Sequence, residues 1–422
     1  MYFSKQDHIT TGPRLARPVR TGIGRVGIGA NVLLLGLTSL LTDVSTEMVR
    51  AIVPIYLTTA LGFTVLQYGF FDGIEQGITA FVRVASGLVA DRRRRYKEVA
   101  AAGYGVSALC KLGLLALGTV WAVFFLLLDR VGKGIRTAPR DALISLSAPK
   151  SRLGEAFGVH RAMDTVGAVA GPMLASGLLL LTPGRFDIIF LTSFCIALVG
   201  LGVIVLFVEN RSAHAEAAPG SPPITWRDAW TLLGLLRFRW VVAAGVTLGL
   251  ASVSDQLFYL VLLKRLASLE LWMFPLFSLG TALPYLLLAM PAGRLADRIG
   301  RRSVFLAGHS CLAVVYGLLL LPTAETWLVI TCFILHGSFY AATDGVLPAL
   351  ASTQLPERQR TTGLALLTTF TTLARLFGSI AFGLLWDSVG IAWALGIFLC
   401  ALAVGVLVAA PLLPRRNEGV AT

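Results

Sequence analysis

Acidic and basic side chains stand inside stretches of this chain that are otherwise leucine, valine, alanine and glycine. Asp129, Arg130, Lys133 and Arg136 fall within two helical turns of one such stretch, with Arg140 one turn further on. Asp43 and Glu47 are spaced i, i+4, and Arg50 follows on nearly the same face. A second stretch carries Asp72, Glu75 and Arg83, a third Lys111, and a fifth His160, Arg161 and Asp164. An ionised group at the middle of a bilayer costs at least about 2.5 kcal/mol on insertion scales. Such groups therefore serve three kinds of chemistry: ion pairing inside the protein, proton transfer by carboxylates, or contact with a charged solute. Asp43, Glu47, Asp72 and Glu75 suit a proton or a hard cation, whereas Arg130, Lys133 and Arg136 suit an anion. For Asp43 and Glu47 two readings stand, internal pairing with Lys133 or Arg136 and the handling of a proton or cation. Counting outward from the connection near residue 63 puts Arg50 and Glu75 at one depth, which predicts a pair between them. His160 is either a group that titrates near neutral pH or a buried histidine bonded to Asp164.

The elements that must position these groups follow from composition. Of the 422 residues, 56% are hydrophobic and 14% charged, far fewer charges than a soluble domain of average composition carries. At about 20 apolar residues per crossing, twelve helical spans are expected, near 30–60, 66–90, 98–117, 119–144, 154–182, 186–208, 239–263, 272–293, 303–322, 325–348, 362–386 and 390–413. No stretch alternates polar and apolar residues as a barrel strand would. The net charge of +13 does not point to nucleic acid, because the basic residues cluster between spans, where a multispanning protein carries them. Lys5, Arg14, Arg17, Arg20 and Arg25, the cluster at 92–97 and the cluster at 294–302 fall in the tails and even-numbered connections. The odd-numbered connections hold only Arg185, Lys264 and Arg265. Both termini are thus expected in the cytoplasm of a multi-pass inner-membrane protein. The five cysteines stand singly in apolar runs, so neither a disulfide framework nor a zinc site is expected.

The chain divides into a tail over 1–29, six spans over 30–208, a linker over 209–238, six spans over 239–413 and a tail over 414–422. The linker begins polar and Pro/Ala-rich, and Trp226, Trp230 and Leu233 then suit a short interfacial helix. An internal repeat supports the division. Gly87-Leu-Val-Ala-Asp91-Arg92 recurs as Gly293-Arg-Leu-Ala-Asp297-Arg298, each copy after the second span of its half. Gly87 and Gly293 would let helices approach closely, and Asp91 and Asp297 would pair with arginines as a latch between conformations.

In these residues the chain resembles the major facilitator superfamily of secondary transporters, over essentially its whole length. The family signature G-x-x-x-D-R-x-G-R-R is complete at Gly293, Asp297, Arg298, Gly300, Arg301 and Arg302. The first copy keeps Gly87, Asp91, Arg92 and Arg95, with Arg94 at the turn-glycine position. Arg130 and Gly134 match the family's R-x-x-Q-G-x-G, with Lys133 in place of glutamine. The run Gly167-Ala-Val-Ala-Gly171-Pro172 resembles the antiporter signature, and its small residues form a packing stripe with a proline bend. The resemblance implies an all-α integral membrane protein of twelve helices in two pseudo-symmetric six-helix bundles, acting as a monomer by alternating access. It implies protons and a small-molecule or ion substrate as partners beside the lipid bilayer, and no cofactor. The string GKGIRTAPRDALI is further similar to a bacterial subgroup and to transporter-like magnetosome proteins associated with iron supply, which implies iron or a metal chelate as an alternative substrate.

Asp255, Gln256, His336, Asp344 and Arg375 are the conspicuous polar groups of the second half. Coupling chemistry is therefore expected in the first half, with Phe258, Tyr259, Phe339 and Tyr340 shaping a cavity wall in the second. No phosphate loop, HExxH or GxSxG occurs, so an enzyme is not expected. A membrane scaffold or sensor that keeps the fold without transporting remains the rival class.

Overall fold

The structure is a computed structural model that describes residues 29–93, 95–115, 118–149, 153–210, 231–265, 270–323, 325–356 and 360–414; the side chains at 76, 80, 81, 83–85, 87–93, 154 and 360–362 are outside the description. The expected interfacial helix, with Trp226 and Trp230, and the two tails therefore lie outside the described residues, as do the side chains of Asp91 and Arg92 and the surroundings of Gly87.

Every regular element among the described residues is helical. The first half comprises α1 (Ala30–Ile55, extended by a wider turn at Tyr56–Ala60), α2 (Val65–Arg93), α3 (Tyr96–Gly113), α4 (Thr119–Ser147), α5 (Leu153–Leu181) and α6 (Phe186–Leu206). The second comprises α7 (Leu236–Leu250), α8 (Asp255–Arg265), α9 (Phe277–Ile299), α10 (Arg301–Leu320), α11 (Thr326–Thr343), α12 (Val346–Ser352), α13 (Arg360–Val389) and α14 (Ile391–Leu412).

Among the described residues, nine helical stretches are long and apolar enough to cross a membrane, and α3 and α4, with at least three charged residues in every stretch of that length, are not among them. The solvent around the bundle is nonetheless apolar. Leu287 is 73% exposed and Trp393 71%, while Lys111 is 1% and Arg136 2% exposed, the inverse of a protein in water. Lipid outside and ion pairs inside account for both.

Spans seven and ten, read as continuous in the sequence, are each interrupted. Between α7 and α8 the backbone opens at Ala251–Ser254. The freed groups are satisfied internally: Val253 N–H donates to the Tyr316 hydroxyl at 2.8 Å, and that hydroxyl lies 3.3 Å from the Ala251 carbonyl. Irregular backbone at membrane depth needs such partners. Asp255 is thereby the first residue of α8, where the positive end of the helix dipole favours a carboxylate. The second break, at Asp344 and Gly345, separates α11 from α12.

Each half packs in the same order. In the first, α1 lies on α5 and α6, α4 on α2 and α3, and α3 on α6. In the second, α7 lies on α13 and α14, α11 on α9 and α10, and α10 on α14. The halves meet through two related seams, α2 on α13 and α5 on the short helical turn Leu271–Leu276 that precedes α9. A Cβ on Gly69 would lie 2.7 Å from the Ser379 carbonyl oxygen, and one on Gly383 2.9 Å from that of Val65. The Ser176 hydroxyl donates to the Trp272 carbonyl at 2.8 Å across the second seam. All these contacts sit at the end of the bundle remote from the basic connections. Further along α2, a Cβ on Gly77 would meet nothing within 4 Å. Among the described residues, the halves thus touch at one end and part toward the basic end.

Candidate functional site

Glycines set the first-half site. A Cβ on Gly132 of α4 would lie 2.9 Å from the carbonyl oxygen of Gly103 on α3, so the two backbones touch and their polar side chains are forced together. Lys111 Nζ lies 2.9 Å from Asp129 Oδ1, and Ser107 donates a short hydrogen bond to the same oxygen. Arg130 pairs through Nε with Glu75 at 3.1 Å and through Nη2 with Asp129 at 3.3 Å. Arg136 reaches Asp43 at 3.6 Å and lies over the Tyr104 ring at 4.9 Å. Glu47 stands between Lys133 at 3.7 Å and Arg50 at 3.8 Å. Arg140 donates to the Ser39 hydroxyl at 2.9 Å.

The expected Arg50–Glu75 pair does not form. Depth alone predicted it, but α2 packs on α4 and α13 and hardly on α1, so Glu75 meets Arg130 and Arg50 turns to Glu47. Asp43 and Glu47 are both held by the internal partners expected for them, Arg136 for Asp43 and Lys133 for Glu47, a pairing that leaves either carboxylate able to exchange its partner for a proton. Asp72 accepts from Ser379 at 3.2 Å in the α2–α13 seam. The four carboxylates proposed for a hard cation are thus distributed over separate partners. Among the described residues no three His, Cys, Asp or Glu side chains gather as a metal site. His160 Nε2 is 3.5 Å from Asp164 Oδ2, beyond a good hydrogen bond, and Arg161 also approaches Asp164, at 3.9 Å.

The packing stripe on α5 is present. A Cβ on Gly167 would lie 2.7 Å from the Leu40 carbonyl oxygen, and one on Gly171 2.7 Å from that of Val44, with Pro172 inside the same helix. This presses α5 onto the face of α1 that carries Asp43 and Glu47. At the basic end Asp297 pairs with Arg301 at 3.1 Å, and Arg301 donates to the Ala349 carbonyl at 2.9 Å. Both contacts stay within the second half, with Arg298 exposed and Arg302 partly covered nearby. Gly300, at φ +106°, turns α9 into α10 in one residue, a conformation open to glycine. In the first half Arg95, exposed and at φ −118°, precedes α3 instead. Close approach at Gly293 is not observed, since a Cβ there would meet nothing within 4 Å; this is the end where the halves part.

Between the halves lies a cavity of about 260 Å³. Its α1 wall carries Glu47 and Arg50, and its opposite wall Asp255, Tyr259, Tyr340 and Asp344. The floor along α9 is Ser278, Thr281 and Tyr285. A second cavity of about 230 Å³ shares Tyr285 and continues along α9 to Asp297 and Arg301 at the basic end. Tyr340 donates a short hydrogen bond to Asp255, and Arg375 lies 3.9 Å from Asp344 and over the Tyr340 ring. The second half therefore contributes charge as well as shape, against the expectation that it is an apolar wall. Tyr259 and Tyr340 line the cavity as expected, but Phe258 and Phe339 do not. Each is 2% exposed and packs inside the bundle against His336. The face Ser278, Thr281, Tyr285 was missed, although its spacing of three and four residues in an apolar span was a readable signal.

Comparison with known proteins adds four findings. The family model described as Major Facilitator Superfamily matches residues 35–282 and 267–421. A protein of Methanocaldococcus jannaschii, named an uncharacterized MFS-type transporter, is 34% identical over 371 residues, covering 85% of this chain and 89% of that protein. Among solved structures, a mutant of the nucleoside transporter NupG superposes with a TM-score of 0.77 at 14% identity, over 91% of this chain and 100% of that one. A bacterial homolog to the human lysosomal transporter Spinster, in an inward-facing and unoccupied conformation, gives a TM-score of 0.70 at 14% identity, over 91% and 95% of the two chains. At such identities these two likenesses concern the fold alone.

Proposed function

Because this chain belongs to the major facilitator superfamily, we propose that it is a proton-coupled secondary transporter that carries a small solute by alternating access through the cavity between α1, α8, α9 and α11. The observation that carries this reading is the cavity's position: at the seam of two halves of like packing, joined at one end and parted at the other. The positive-inside rule assigns the basic end to the cytoplasm, which makes this the inward-open state and puts both termini on the cytoplasmic side of the inner membrane. Rocking one half against the other would break the α2–α13 seam and close the path along α9.

Glu47 and Asp255 carry the proton in this reading, since both carboxylates line the cavity and both are held by partners that a solute or proton exchanges for. The buried set Lys111, Asp129, Arg130 and Glu75 pairs internally and holds α2, α3 and α4 together. The α5 stripe supports antiport, because it couples a helix of the inter-half seam tightly to the carboxylates of α1.

The test is proton movement in proteoliposomes that hold an internal pH dye. Amino acids, nucleosides, quaternary ammonium ions and ferric citrate are added in turn. One class is expected to move protons, outward for an antiporter loading from outside, and Glu47→Gln or Asp255→Asn is expected to reduce that flux at least about tenfold. Solute uptake with no proton movement in the unaltered protein would overturn proton coupling.

A further inference from the structure

The class of solute can be read from charge, given the cavity's role as the substrate site. On the α1 wall Glu47 is shared between two cations, Arg50 and Lys133; of the other carboxylates that act on Arg50 from α2, Glu75 is engaged by Arg130 and Asp72 accepts from Ser379 in the α2–α13 seam, so within the cavity lining the α1 wall keeps a positive surplus. On the opposite wall Asp344 is matched by Arg375. Asp255 is not matched. It accepts from the neutral Tyr340 hydroxyl, and the imidazole of His336 lies with Nε2 at 3.8 Å and without a hydrogen bond. That imidazole is otherwise engaged, with Nδ1 3.2 Å from Thr281 Oγ1 and its ring stacked on Phe258 at 4.2 Å. One negative charge is left over on this wall.

The two surplus charges stand on different halves of the molecule. They interact through space, yet no ion pair joins Arg50 to Asp255. Opposite charges held apart on the two walls of the cavity favour a guest that carries both signs, because a lone cation would match Asp255 and leave the guanidinium unmatched, and a lone anion would do the reverse. We propose that the transported solute is a small zwitterion, its anionic end on Arg50 and its ammonium end on Asp255, with an apolar body against Tyr259 and Tyr285. A guest so bound spans the seam and draws the halves together. The cavity volume suits a solute of amino-acid size.

The test uses the purified full-length protein in detergent and follows thermal unfolding. The probes are L-leucine, L-phenylalanine, glycine betaine, 4-aminobutyrate and 6-aminohexanoate. Each is paired with the amine or quaternary ammonium ion that lacks its carboxylate and with the acid that lacks its nitrogen. At least one zwitterion is expected to stabilise the protein, with both single-charge relatives at least about tenfold weaker. Arg50→Gln should turn the preference toward the cation and Asp255→Asn toward the acid, a swap read within each folded variant that loss of folding does not produce. Silence across all the zwitterions, a single-charge relative binding as well as its parent, or variants that weaken all three forms equally would overturn the assignment. Uptake into proteoliposomes separates this from the transport reading. A zwitterion that binds with the expected swap but never crosses removes transport and keeps the charge assignment, whereas proton-driven uptake of a single-charge solute keeps transport and removes the zwitterion.

Discussion

Lys111 is almost wholly buried and its ammonium depends on Asp129 and Ser107. Asp129→Asn would leave that charge uncompensated away from water, and breaking such a pair costs about 3–5 kcal/mol. Replacing both partners, as Lys111→Met with Asp129→Leu, removes the need for the pair and is expected to recover most of the loss. Melting temperatures of the two variants in detergent check this, and equal losses would show that the pair is not what the fold depends on. The groups themselves were legible in the sequence, because any ionised residue in an apolar stretch announces a partner. Which partner was not: Arg50 and Glu75 share a depth, but only the packing of α2 on α4 decides that Glu75 meets Arg130. Neutral donors such as Ser107, Ser278 and Thr281 cost little in an apolar helix and so stand out less than a charge does.

Helix existence follows from apolar length, and the expected spans recur as helices within a few residues at most ends. The break between α7 and α8 was not readable, because Ala251-Ser-Val-Ser254 contains no proline or glycine. It depends on Tyr316, a residue of another helix, whose hydroxyl engages both sides of the opening. Tyr316→Phe leaves Val253 N–H without its partner, which costs about 1–3 kcal/mol for a buried donor. The variant is expected to melt earlier and to lose uptake disproportionately, since Asp255 owes its place in the cavity to the break. A loss of stability with uptake intact would show that the opening only accommodates the chain. The second break, at Asp344, was likewise hidden, although Gly345 beside it was a hint.

At the scale of the whole molecule the repeat between the halves was visible in two short strings, and the packing order extends it to every helix pair. The parting of the halves was not visible, because a sequence able to adopt two arrangements does not say which one is populated. In a variant freed of the five native cysteines, Leu66→Cys with Asp387→Cys should crosslink on oxidation, since the Leu66 N–H donates to the Asp387 carboxylate at 2.9 Å across the α2–α13 seam. Gel mobility reports the crosslink, and uptake is expected to stop until a reductant is added. Unimpeded uptake by the crosslinked form would mean that this seam does not open during the cycle. The ion pairs that join α2 and α3 to α4 have their own consequence for how the chain is made. Glu75 finds its cation on α4 and Lys111 its carboxylate on the same helix. A ribosome that has delivered only α2 and α3 to the translocon has delivered Glu75 and Lys111 without the partners they pair with in the folded protein. These two helices should linger beside the insertion machinery until α4 emerges, and the three should enter the lipid as a single hydrophobic package with its charges already turned inward.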